Sequence, residues 1–146
     1  MLSRVADSIF WMNRYIERVE NYARFIDVNF KLALDLPKGI EEQWTLLVNT
    51  SGDRELFDAA GYKDNRQEVI FFLTFDEKNP NSILSCIRNT RENARTIREI
   101  LTREIWEEIN DLYHYVENAC KKKVWKDRDP TGFFIKVKYA CTLIYG

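Results

Sequence analysis

The stretch "WMNRYIERVENYARFIDV", Trp11 to Val28, carries Arg14, Glu17, Arg18, Glu20, Asn21, Arg24 and Asp27 among apolar residues at helical spacing. Carboxylates and guanidinia set three and four residues apart fall on neighbouring turns of a helix. Arg14 with Glu17, and Glu20 with Arg24, are therefore within reach of each other. Such a belt serves either of two ends. It is a salt-bridge network that fixes how the helix sits, or it is a ligand or partner site organised by Glu17, Arg18 and Asn21. A second basic group lies in "NPNSILSCIRNTRENARTIRE", where Arg88, Arg91, Arg95 and Arg98 share a stripe edged by Glu92 and Glu99. Guanidinium forks match carboxylate or phosphate, so this stripe either pairs with local acids or holds an anion.

Other chemistry finds little footing. His114 in "LYHYVEN" is the single histidine. Asp111 lies three residues before it, but no Ser or Cys stands beside them, so it reads as a partly exposed structural residue. One histidine and no ExxH pair give no metal set. The five glycines are scattered and form no phosphate loop. No cofactor is implied and no catalytic residue is assigned. Cys86, Cys120 and Cys141 are odd in number and widely spaced, which reads as reduced thiols and a cytoplasmic chain. No signal peptide is expected, because Arg4, Asp7 and Arg14 interrupt the first apolar segment. Apolar runs such as "VIFFL" fall far short of a membrane span. A net charge of -1 gives no general attraction to nucleic acid.

The elements that must carry these groups are helical. Val5, Ile9, Met12, Ile16, Val19, Ala23, Ile26 and Phe30 alternate steps of four and three, the seam of a long bundle helix from Ser3 as N-cap to Asp35. The opposite side carries Phe10, Phe25, Val28 and Leu32 around the polar belt. That side is thus expected to be covered, with Glu17 or Glu20 paired to Arg91 or Arg95. "IEEQWTLLVNT" reads as a short helix turning Trp44, Leu47 and Val48 inward. "RQEVIFFLTF" has strand-like content but reads as a buried helix, because no partner strand exists. A second long helix runs from "NPNS", capped by Asn79 or Asn81, through Ser82 to about Lys121. Its stripe is Ile83, Ile87, Thr90, Ala94, Ile97, Leu101, Ile105, Leu112, Val116 and Ala119, with a break near Leu101 where Thr102 recaps the chain. Lys121 to Lys123 form a solvated helix end. Asp129-Pro130 opens a last helix, "TGFFIKVKYACTLIY". The fold class is all-α: two long helices plus shorter ones in a single domain over 1–146. "ENYAR" (Glu20 to Arg24) is echoed by "ENAR" (Glu92 to Arg95).

"MLSRVADSIFWMNRYIERVENYARFIDV" resembles the opening of the bacterial alpha-E family, an all-helical domain of unknown function with a Glu-Arg motif. "NPNSILSCIRNTRENARTIRE" and "WEEIN" (Trp106 to Asn110) extend the resemblance over nearly the whole chain. Carried over residue by residue, the motif positions are Arg14, Glu17, Arg18, Glu20, Asn21 and Arg24, then Arg91, Glu92, Asn93 and Arg95. Asn13 and Thr90 depart from the residues common in the family. Family members are longer and carry a second Glu-Arg helix, so the chain resembles an N-terminal half. Trp11, Phe133, Phe134, Tyr139 and Ile144 are then expected to lie partly exposed, and the chain to self-associate or to bind its missing C-terminal half. The resemblance also implies a genomic setting beside an ATP-grasp-type ligase and a transglutaminase-like cysteine peptidase. The function implied is that of a non-catalytic accessory protein in peptide synthesis or modification. Two alternatives stand: an enzyme of amide or peptide chemistry using the Glu17/Arg cluster, and a purely structural dimerisation module.

Overall fold

The computed structural model describes residues 2–35 and 44–145, apart from the side chains of 2, 34 and 45. Helix α1 runs Leu2–Leu34, α2 Thr45–Ser51, α3 Arg54–Ala59, α4 Arg66–Thr74, α5 Ile83–Thr96, α6 Arg103–Lys121 and α7 Thr131–Tyr145, with a 3₁₀ turn at Val124–Lys126 between the last two. The fold is all-helical, and no strand occurs among the described residues. No helix there is long and apolar enough to cross a membrane.

Helix α1, with 33 residues, is about 50 Å long. Its seam is buried from Met12 through Ile16, Val19, Ala23 and Ile26 to Phe30. Ile9 is the exception at 41% exposed, although Val5 and Ser8 before it are half-buried and buried. The helix starts at Leu2, so Ser3 lies inside it and is not its N-cap. Helix α5 packs along the seam and α7 lies beside it. Helix α7 runs antiparallel to α1: Lys138 meets Asp27 while Tyr145, further on, meets the Asn13 carbonyl.

"RQEVIFFLTF" is helical. Asn65 accepts a hydrogen bond from the Glu68 amide, and the Glu68 carboxylate returns to the Lys63 amide. This reciprocal cap starts a helix where β-branched and aromatic content alone suggests a strand. Once started, α4 buries Val69, Ile70, Phe72 and Leu73. The short helix is present as α2, with Trp44 just before it and Val48 within it buried and Leu47 half-buried, while the 40–43 part of the expected segment lies outside the described residues.

The second long helix is in fact two. Helix α5 stops at Thr96, and Thr102 caps α6 by accepting from the Ile105 amide. The cap of α5 is Ser82, whose hydroxyl accepts from Ser85, and neither Asn79 nor Asn81. Those two asparagines build the turn before it. Fully buried Asn79 donates to the Phe72 carbonyl and accepts from the Asn81 amide, tying the end of α4 to the start of α5.

The aromatic residues concentrate around α4, the 3₁₀ turn and α7. Trp125 packs on Phe71 and Phe75, Phe75 on Phe133, and Phe133 on Tyr115. Phe133, Phe134 and Ile144 are therefore core residues, contrary to the exposure expected of them, whereas Trp11 at 42% and Tyr139 at 70% are open. The apolar face of α7 is turned toward α1 and α6, and this contact closes the core.

Candidate functional site

The polar belt of α1 faces a cleft between α1 and the end of α2. Arg14, Glu17, Arg18, Asn21, Tyr22 and Phe25 line one wall, Thr50 and Ser51 the other, around a volume of about 200 Å³. Positions 14, 18, 21 and 25 follow one another at helical steps, so a single stripe of α1 supplies that wall.

Beneath the cleft lies a buried network. The Tyr22 hydroxyl donates to Asp53 Oδ2 at 2.8 Å, and Asn81 Nδ2 donates to Asp53 Oδ1 at 2.8 Å. Asp53 thus ties α1, the turn before α3 and the turn before α5 together. Burial raises the Tyr22 pKa, and the neighbouring Asp53 charge raises it further, so the phenol stays protonated as the donor. Arg18 lies near the buried Cys86 thiol, which donates to the Asn81 carbonyl at 3.6 Å. Burial pushes that thiol up to about 11 despite the adjacent guanidinium, so Cys86 is no nucleophile at neutral pH. A second buried anchor is Asp27, fully enclosed, which accepts from Lys31 at 3.1 Å and from Lys138 of α7 at 3.0 Å. Burial alone raises the carboxyl pKa, but the two lysines outweigh it and hold Asp27 below its ordinary value.

The belt does not pair with the arginines of α5. Arg14, Glu17 and Arg24 are exposed, while Arg18, Glu20 and Asn21 are half-buried. Glu20 pairs with Arg24 within α1. The expectation of a Glu17 or Glu20 bond to Arg91 or Arg95 fails because α5 sits on the apolar seam of α1. The arginine stripe consequently faces α6 and solvent. Arg88 pairs with Glu77, and Arg95 with Glu92. Arg91 bonds Asn110 at 2.8 Å and lies 4.4 Å over the Tyr113 ring, and Arg98 lies over Trp106. Asn93 donates back to the Asn89 carbonyl. These arginines converge on no common point, so the stripe is not assembled as an anion site. The covering expected from Phe10, Phe25 and Leu32 also fails, since they are 54%, 38% and 60% exposed.

His114 is exposed beside Asp111 and Lys136 in an open groove between α6 and α7. No group of His, Cys, Asp or Glu among the described residues could hold a metal ion. Asp53 and Tyr22 were not singled out by sequence. Asp53 precedes a helix, the usual place of a cap, yet its side chain does not cap α3. The signal available was the tyrosine inserted into "ENYAR" relative to "ENAR".

The sequence matches over residues 1–146 the family described as "a predicted alpha-helical domain with a conserved ER motif". Glu17-Arg18 is the only Glu-Arg dipeptide in the chain. Two uncharacterized proteins, of Mycobacterium bovis and Mycobacterium tuberculosis, are each 28% identical over 131 residues, covering 79% of this chain. The match spans 15% of the length of those relatives. No solved structure gives a significant match.

Proposed function

The chain belongs to the Alpha-E family, and on that premise we propose that it is a non-catalytic, partner-binding helical module acting beside an ATP-grasp-type ligase in peptide synthesis or modification. One observation carries the reading. The exposed Arg14 and Glu17 share a face of α1 with Phe10, Phe25, Val28 and Leu32, all open to solvent. Exposed apolar side chains gathered on one helix face mark a protein-binding surface, and arginine is a residue type enriched in such surfaces. The partner class follows from the family resemblance, and the transglutaminase-like peptidase belongs to the same expected setting.

The test is a binding measurement between the full-length protein and the ATP-grasp-type ligase encoded beside it. A saturable complex is expected. The double change Phe25→Ser and Val28→Ser should weaken it by about tenfold or more, as loss of an apolar anchor does. Absence of a complex, or peptide turnover by this protein alone, would overturn the proposal.

A further inference from the structure

We propose that the cleft beside Glu17-Arg18 binds the C-terminal carboxylate of a peptide segment lying along α1. The inference rests on the reading of that face as a partner surface and names what the surface recognises.

The donors are in place and are bound to no carboxylate among the described residues. Arg14 and Arg18 both line the cleft, and among the described residues neither forms a salt bridge. Arg18 is half-buried with a neutral thiol and a phenol as its neighbours. A guanidinium withdrawn this far from water calls for an anionic acceptor. Asn21 uses its carbonyl oxygen to accept from Arg24, which leaves its amide hydrogens to donate. The other wall is built of acceptors. The Thr50 and Ser51 hydroxyls spend their hydrogens on the Leu46 and Val48 carbonyls, each at 2.8 Å, and leave oxygen lone pairs toward the cleft. Glu17 adds a carboxylate that forms no ion pair among the described residues.

This mixture selects among anions. Inorganic phosphate, largely a dianion at neutral pH, would meet a stronger repulsion from Glu17 than a singly charged carboxylate does. A peptide end offers a carboxylate for the arginines and, beside it, an amide hydrogen for Glu17 or Thr50. Size agrees: at about 200 Å³ the cleft is smaller than the roughly 300–1,000 Å³ of sites that enclose a whole small molecule. It takes a terminus, and Phe25 at its wall meets the last apolar side chain. Capture of a C-terminal carboxylate by a fixed set of donors is an established mode of peptide recognition.

Calorimetric titration of the full chain tests this with three probes: N-acetyl-leucyl-phenylalanyl-alanine as free acid, the same peptide as carboxamide, and inorganic phosphate. The free acid should bind at least about tenfold more tightly than the carboxamide, and phosphate should not displace it at equal concentration. Arg14→Gln should bring the free acid down to the level of the carboxamide without moving the thermal midpoint. Arg103→Gln, at the start of α6 and outside the cleft, should change nothing. Equal binding of acid and amide, no peptide binding, or displacement by phosphate would each overturn the proposal. A ligase complex lost in the Phe25 and Val28 variant but kept in Arg14→Gln would reject this site and leave the partner reading standing. Acid-selective peptide binding with no ligase complex would do the reverse.

Discussion

Two stretches of this chain read almost alike, "ENYAR" on α1 and "ENAR" on α5, and the structure uses them differently. Each buries its alanine, Ala23 and Ala94, against the core. Each pairs its glutamate and arginine along its own helix, Glu20 with Arg24 and Glu92 with Arg95. The difference is the inserted residue. Tyr22 extends from α1 into the buried Asp53, and through it reaches Asn81 ahead of α5. Nothing equivalent leaves "ENAR": its neighbours Arg91 and Arg98 end on α6, the next helix in the chain. The pattern of charge on a helix is thus a poor guide to its use. What matters is whether a polar group is tied to elements distant in sequence.

That contrast can be broken by substitution, and the Asp53 node should give the largest effect. Asp53→Ala removes two buried hydrogen bonds to a carboxylate and strands their donors. Urea unfolding should show a loss of about 3–6 kcal/mol, at about 1.5–3 kcal/mol for each bond. A loss under about 1 kcal/mol would mean that the network is incidental.

Asp27 should come next. Asp27→Asn leaves Lys31 and Lys138 without their partner, but both can turn to water, so about 1–3 kcal/mol is expected at neutral pH. The direction with pH follows from the lowered folded pKa. The unfolded carboxyl titrates near about 3.9, so the folded state holds this proton less readily. The stabilisation is therefore complete above that pH and is lost as the pH falls toward the folded value. Acid unfolding of wild type and Asp27→Asn should converge at low pH, and a gap that persisted there would refute the assignment.

The smallest effect belongs to α5. Arg95→Ala breaks a pair 3.6 Å long between side chains 53% and 65% exposed, and should cost less than about 0.5 kcal/mol in the same urea measurement. A loss as large as that at Asp27 would erase the distinction between the two stretches.

Much of the fold was legible because helical periodicity is read directly from residue types. The seam from Met12 to Phe30 and the stripe from Ile83 to Ala119 followed from steps of three and four, and Thr102 marked the break between α5 and α6. The site was legible only in part. The stripe that lines the cleft, with Arg14, Glu17, Arg18 and Asn21, could be placed on one side of α1. What lies opposite could not, because Thr50 and Ser51 end a helix of only seven residues and Asp53 stands in the turn after it, too short a stretch for periodicity to show a face. The wheel also misjudged cover: Phe10, Phe25 and Leu32 are apolar without being enclosed. Conversely, Phe133 and Phe134 are enclosed because α4 and the 3₁₀ turn bring Phe75 and Trp125 near them, and no local pattern announces that contact.

The antiparallel seating of α7 on α1 bears on how the chain is made. Asp27 waits for Lys138, 111 residues later, and the Asn13 carbonyl waits for Tyr145, 132 residues later. Ribosomes add about 5–20 residues per second, so the first helix emerges and stands for roughly 5 to 20 seconds before its Asp27 partner is synthesised. During that interval the flank of α1 destined for α7 remains in water. Closing so long a loop adds little to the equilibrium cost, which grows only as the logarithm of length. The burden is kinetic: the nascent chain is most prone to sticking here before α7 arrives, and there a chaperone has the most to do.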